Sequence, residues 1–442
     1  MSEQSNRRLA SGSEELPGTA QPMDHGNCAW PLYSAAFLMA LSLSMVSTAM
    51  PFILVAMGGT KAHVGYAPAV NTLAYMIALF VTGSLLGHLK VKRVTISAGA
   101  ATLLAFAGMT LAVLGAMSQL RIGRLTWIWT FIFSGGIGGA ALAFYWPFLM
   151  SWVSAEYEGV QLNRRFGRYN GAWSSGAMIG PAIGAWLVET SAALPVAAAV
   201  AFVSLALLAL SLSRDGSSRV AVLPQAAGTK DIPCSSQALA AYRWTSRIAL
   251  FNACLCFAMI RSQFALVLTG LGFSESQFGI YQTICALCMF SVLVAAGRWA
   301  VWHFRPALLT VAHLLLLTTL LMIICGRTLP VFFASSILLG VAYGFAYSSH
   351  LYYGASTSKK RSVRMAIHEI VIASGLTLGA AAGGYLCEHI GTYTPYWFAV
   401  SVVGLGLLGQ MAIHAASQTK PRASGQAPLR PVSDPPSNAG IS

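Results

Sequence analysis

The sequence predicts an all-α polytopic membrane protein whose twelve transmembrane helices form two homologous six-helix bundles. Three observations carry that expectation. First, 56% of the 442 residues are hydrophobic and only 9% are charged, against about 25% charged in soluble chains; a surface this apolar is solvated by lipid rather than water. Second, the chain holds twelve apolar runs, each near the roughly twenty residues that a helix needs to cross the hydrocarbon layer. Third, a segment of the first half recurs in the second.

The spans follow in order. Residues 1–27 are polar, lack the basic start and cleavage site of a secretory signal, and are expected to form a disordered cytoplasmic tail ahead of an uncleaved first span. The first bundle, 28–213, contains Leu32–Val55, Tyr66–Gly87, Val94–Met117, Leu125–Met150, Tyr169–Val188 and Leu194–Leu212. Residues 214–244 break the pattern with Asp215, Pro224, Lys230, Asp231 and Pro233, and read as a cytoplasmic linker. The second bundle, 245–415, contains Ile248–Leu268, Phe278–Gly297, Ala307–Cys325, Leu329–Leu351, Ala366–Cys387 and Tyr396–Ile413. Residues 416–442, rich in Pro, Ser and Gly, read as a disordered cytoplasmic tail.

Charge sets orientation. With both termini cytoplasmic, 22 of the 27 Lys and Arg residues fall on the inner side, four (Lys61, Arg121, Arg124, Arg327) on the outer side, and Arg261 inside a span. This is the positive-inside distribution, and an even number of spans satisfies it at each loop. The net charge of +14 is spread in short clusters between apolar runs, which argues against nucleic-acid binding. Cys254, Cys256, Cys285, Cys288, Cys325 and Cys387 lie in apolar runs as small hydrophobes; the lone Cys285–Cys288 pair has no second pair to complete a metal site.

The internal repeat appears on shifting the chain by 199 residues, so that Arg165–Glu189 falls on Arg364–Glu388. Eight of 25 positions match, among them Arg165/Arg364, Gly176/Gly375, Gly180/Gly379, Gly184/Gly383 and Glu189/Glu388. Parallel repeats of this kind build a site at their interface.

The chain resembles the major facilitator superfamily over residues 28–415. The run Gly176-Ala-Met-Ile-Gly180-Pro181-Ala-Ile-Gly184-Ala185 is similar to that superfamily's GxxxGPxxGG element, most often seen in exporters, with Ala185 replacing the last glycine. Glycines four apart form a flat face for close helix packing, and Pro181 loosens the backbone ladder. The stretch Gly83–Arg93 resembles the family's basic gating loop, with Gly87 in place of its Asp. Ser42 stands nine positions before Pro51, and Ile132 stands four before Gly136, where drug–proton antiporters of the family carry Asp and Arg. Both departures weaken an antiporter assignment.

The resemblance implies a secondary transporter of a small solute working by alternating access about a site bordered by spans one, four, seven and ten. Export is weakly favoured over uptake, and proton or other ion coupling is open. A monomer in a bacterial cytoplasmic (inner) membrane is expected. No catalytic triad, phosphate-cradling loop or nucleotide domain is present, so no enzyme, cofactor or direct ATP use is expected. The alternative is a non-transporting sensor or assembly partner that retains the fold.

Ionisable groups inside lipid cost about 2.5–3.5 kcal/mol on insertion scales and therefore ask for a reason. Arg261, about 20 Å along span seven at 1.5 Å per residue, either faces the cavity, or snorkels outward or pairs with an outer-loop carboxylate such as Glu275. Glu369 beside His368 is a coupling candidate unless Arg364 or Lys360 pairs with it. Arg165, Arg364, Gly180 and Pro181 are gating candidates. Tyr145, Trp146, Tyr343, Tyr347 and Asn252 are candidates to line the cavity. Asn71 and Gln282 are expected to face the bundle interior, His313 to be a core histidine, Glu189 and Glu388 to be interfacial, and Trp152, Tyr352 and Tyr353 to form an aromatic belt.

Overall fold

A computed structural model describes residues 29–85, 89–118, 123–154, 159–213, 236–299, 301–356 and 361–419. Residues 1–27 and 420–442, the linker up to residue 235 and part of the Gly83–Arg93 loop lie outside them, while residues 416–419, expected in the tail, continue the last helix. The described residues form twelve long helices: α1 (Trp30–Ala56), α2 (Lys61–Leu85), α3 (Val91–Met117), α4 (Arg124–Ser154), α5 (Gly159–Thr190), α6 (Leu194–Leu212), α7, α8 (Glu275–Arg298), α9 (Pro306–Cys325), α10 (Leu329–Ala355), α11 (Arg361–His389) and α12 (Thr394–Thr419). Helix α7 runs Ser236–Met259, passes through a π-helical turn at Ile260–Phe264 and continues as Ala265–Gly270. It starts inside the stretch read as linker, because Ala238–Tyr242 continue the helix below the apolar span.

Eleven of these helices are long and apolar enough to cross a membrane. The twelfth is α5, whose sequence is diluted by glycines and by Arg164, Arg165 and Arg168. It is held by α1 on one side and α8 on the other, so helix contacts replace lipid contacts along much of its length. Elsewhere large apolar side chains face outward, as with Leu104 (71% exposed) on α3 and Leu405 (69%) on α12. These are lipid-facing surfaces, and the chain is an integral membrane protein.

Two cores lie largely within the two halves, with Phe52 of α1 joining the second. One joins Met39, Met45, Ile53, Phe106, Phe131 and Tyr145; the other joins Leu255, Met259, Phe264, Phe278, Tyr281 and Phe332. The repeat explains their construction. In α5, Gly176, Gly180 and Gly184 press on α1 at Phe37, Leu41 and Met45. In α11, Gly375, Gly379 and Gly383 press on α7 at Phe251, Leu255 and Met259. The receiving residues are the same three types at the same four-residue spacing, so the repeat extends to α1 and α7 with an offset of 214, as from Phe37 to Phe251. The Gly180-Pro181 element thus serves close packing.

Candidate functional site

Helices α1, α3, α5, α7, α9 and α11 alternate in direction with their neighbours, so the Lys/Arg-rich loops share one membrane side, here termed the basic face. At the opposite, far face the halves are joined twice in the same manner. Glu388 at the end of α11 accepts the Lys61 amide at the start of α2 at 2.9 Å, and Glu189 at the end of α5 accepts the Ser276 amide at the start of α8 at 2.8 Å. A carboxylate at a helix N-terminus satisfies an orphan N–H and meets the positive end of the helix dipole. Behind each latch, a glycine lets two backbones meet. A Cβ on Gly65 would lie 2.6 Å from Gly384 Cα, and one on Gly279 would lie 2.5 Å from Ala185 Cβ and 2.8 Å from the Pro181 carbonyl. Gly65/Gly279 and Lys61/Glu275 obey the 214 offset, while Ala185/Gly384 and Glu189/Glu388 obey the 199 offset.

Further cross-half contacts continue inward. Gln263 Nε2 donates to the Lys61 carbonyl at 3.4 Å, Phe52 meets Phe278 edge-on at 5.7 Å, and the Thr72 and Thr377 hydroxyls bond at 2.9 Å. Glu189 and Glu388, expected as interfacial residues, are therefore clasps between halves. Their equivalent places in the repeat were the available signal.

Between the halves lies a cavity of about 170 Å³. Met50 and Ser47 of α1, Asn71 and Thr72 of α2, Phe106 and Thr102 of α3, Leu142 of α4, Phe257, Arg261 and Ser262 of α7, and Leu376 of α11 face it. Arg261 lies in the π turn, a feature that often accompanies function in helices. Its Nε is buried without a hydrogen-bond partner, and its guanidinium carbon lies 5.6 Å from the Phe257 ring. No carboxylate pairs with it among the described residues, and it is one of the residues lining the cavity. Ser47 is its counterpart in α1 by the 214 offset.

The other cavity candidates lie elsewhere. Tyr145 is fully buried, and its hydroxyl donates to the Ala35 carbonyl at 3.4 Å; Trp146 meets it edge-on at 5.3 Å. Tyr343 sits behind Phe257, with ring centres 5.1 Å apart, and its hydroxyl lies 3.7 Å from Cys254 Sγ. Asn252 is buried against α12, where its amide nitrogen abuts Gly406 and has no partner. Helix α10 therefore contributes no lining to this cavity, while α2, α3 and α11 do. Tyr347 instead borders a recess of about 580 Å³ near the basic face, with Arg298, Trp299, Trp302, His303 and Tyr352.

Asn71 and Gln282 do face protein: Asn71 Nδ2 donates to the Gly135 carbonyl at 2.7 Å, and Gln282 is buried. His313 is buried with Nδ1 2.9 Å from its own helix's Leu309 carbonyl. Trp152 and Tyr353, expected in an interfacial belt, are buried, and Tyr353 accepts the Phe304 amide at 2.9 Å. The Cys285–Cys288 pair packs against Gly340 of α10.

Near the basic face, His350 of α10 and His368 of α11 approach Nδ1 to Nδ1 at 2.7 Å, both buried. Glu369 is half-buried with no hydrogen bond or ion pair among the described residues, in electrostatic reach of Tyr75 of α2 and Tyr347 of α10. Arg364, one turn away, does not pair with it. Arg165 and Arg364 occupy equivalent half-buried places at the basic ends of α5 and α11.

No protein of curated function matches the sequence. Among solved structures, the nucleoside transporter NupG superposes with a TM-score of 0.66 at 12% identity, covering 87% of this chain and 98% of its own. A POT family transporter in complex with a thioalcohol-conjugated peptide gives 0.65 at 13% identity, covering 89% and 96%. At these identities the likeness is one of fold. The family model for the Major Facilitator Superfamily matches residues 32–358 and, in a second overlapping register, 248–439. With that match across the chain and the same fold in both structural comparisons, the chain belongs to the Major Facilitator Superfamily.

Proposed function

We propose that the protein is a secondary transporter that moves a small solute by alternating access, in a bacterial cytoplasmic (inner) membrane with both termini on the basic, cytoplasmic side. The observation that carries this reading is the doubled far-face closure. Two bundles are clasped by symmetric carboxylate–amide bonds and glycine contacts, with a polar-tipped cavity directly behind. Each clasp sets a carboxylate at a helix N-terminus, worth about 0.3–1 kcal/mol as a dipole interaction. Such a seam is of the size that a solute's differential binding can open and reclose.

A proton is the coupling ion in this reading, and Glu369 carries it. Of the 13 acidic residues, Glu369 alone falls inside one of the twelve spans, close to the basic end of Ala366–Cys387. It lies in electrostatic reach of Tyr75 and Tyr347, with His368 next to it in the chain and Arg364 towards the basic end. Export is the favoured direction, on the likeness of the span-five element to that of exporters. The transporting unit is the monomer, since each half supplies its own cavity wall.

Purified protein in proteoliposomes, loaded with a broad solute panel, tests the reading through counterflow. Saturable exchange of at least one solute class is expected. Glu369→Gln is expected to abolish accumulation driven by a pH gradient while leaving counterflow within about twofold. Ligand binding without flux of any solute would turn the assignment to a sensor, and wild-type flux indifferent to a pH gradient would remove the proton.

A further inference from the structure

We infer that the cavity between the halves binds a monocarboxylate with a compact apolar body, of the size of an aromatic or branched short-chain acid. The inference rests on the transporter reading and specifies its substrate class. Arg261 is the only charged residue among the described residues that line the cavity. The neighbouring donors are already engaged. Ser47 donates to the Leu43 carbonyl at 2.5 Å, Thr102 to Ala98 at 3.0 Å and Ser262 to Ala258 at 2.9 Å. Thr72 bonds the Pro68 carbonyl at 2.9 Å and the Thr377 hydroxyl, while Asn71 gives one of its two amide N–H groups to Gly135. The one charged donor that remains for a guest is a guanidinium with a buried, unpartnered Nε. A guanidinium fork presents parallel N–H groups that a carboxylate accepts in bidentate fashion.

The charge count selects the class further. One cation facing an apolar space compensates one negative charge. A dianion such as a phosphate monoester would retain an uncompensated charge there, and a cation would meet repulsion without relief. The remaining walls are Met50, Phe106, Leu142 and Phe257, which suit a hydrocarbon or aromatic body. The volume of about 170 Å³ is close to that of a protein cavity of roughly 150 Å³ that accepts benzene. The acceptor lone pairs of Ser47, Thr102 and Ser262 leave room for one hydroxyl donor on that body.

Radiolabelled benzoate binding to the full-length protein in nanodiscs at neutral pH is the test, with isovalerate, phenyl phosphate, benzamide and benzylamine as competitors. Saturable benzoate binding is expected, displaced by isovalerate and at least tenfold less well by the other three. Arg261→Gln should weaken benzoate binding by tenfold or more, and Arg261→Lys by less, because a point charge keeps the attraction and loses the fork. Size-exclusion profiles of both variants establish that they fold. Absence of saturable benzoate binding, competition by benzamide or phenyl phosphate equal to that by isovalerate, or unchanged affinity in a folded Arg261→Gln would each overturn the inference. Counterflow separates it from the broader reading. Flux of an uncharged solute without carboxylate binding would sink the carboxylate site and leave the transporter, whereas carboxylate binding without any flux would keep the site and sink the transporter.

Discussion

Glu189 and Glu388 do between two bundles what a capping side chain does within one helix: each supplies an acceptor to an N–H that the helix cannot satisfy itself. Partial burial pushes the Glu189 carboxyl up, but hydrogen bonds from the Ser276 amide and from the Ser276 and Ser274 hydroxyls outweigh it and hold the group below its ordinary value. The sign of the pH effect follows. A carboxyl lowered in the clasped state stabilises that state fully above the ordinary Glu range, about 4.3, and the contribution is lost as pH falls through the lowered value. Acidifying the far side should therefore loosen the clasp. At neutral pH, Glu189→Gln should speed hydrogen exchange in the first turn of α8 about two- to fivefold, the effect of losing a terminal charge interaction. The start of α2 should be unaffected, and Glu388→Gln should give the reciprocal pattern. Equal changes at both sites in either variant would mean that the clasps are not separate.

At the scale of the element, α5 and α11 are built to be touched on two faces. Their glycine stripes receive Phe37, Leu41 and Met45 in one half and Phe251, Leu255 and Met259 in the other, while the neighbouring Pro181 and Ala380 carbonyls meet Gly279 and Gly65 of the opposite half. Overpacking such a contact costs about 1–3 kcal/mol. Gly180→Val and Gly379→Val should each lower the thermal midpoint in detergent, by similar amounts because the contacts are equivalent. Little change in either would show that α1 or α7 can back away freely. Helix α7 adds a different device, since its π turn carries one more residue around the axis at Arg261 than an α-helix would. The local sequence, Ile260-Arg261-Ser262-Gln263-Phe264, contains neither Gly nor Pro to announce it.

For the whole molecule, the described cross-half hydrogen bonds start at the far face with Lys61–Glu388 and continue inward through Thr72–Thr377 to the Ser374 hydroxyl and Met76 Sδ. Closure on that side depends on backbone approach at Gly65 and Gly279, where any side chain would meet the facing helix. Gly65→Val should therefore bias the protein towards a far-face-open form without unfolding either bundle. An impermeant maleimide applied from the far side should label a cysteine placed at Ser262 severalfold faster in that background than in the parent. An unchanged labelling rate would argue that the far-face seam is not the gate.

Lipid acts on each helix separately, so a run of apolar residues was enough to predict all-helical spans, and loop charges enough to propose their orientation. The 199-residue repeat was likewise legible from Arg165–Glu189 and Arg364–Glu388 alone. The partner repeat in α1 and α7 was present as Phe-x3-Leu-x3-Met, but three spaced apolar residues mean little until glycines are seen pressing on them. Which polar groups face the cavity was decided only by packing. A helix that is apolar all round carries no stripe to mark its inner face, so the charge of Arg261 marked it in sequence, but nothing there said which way it, Asn252, Tyr145 or Tyr343 would turn. Tertiary contacts turned Asn252 towards α12 and Tyr343 behind Phe257, and left Arg261 alone against open space.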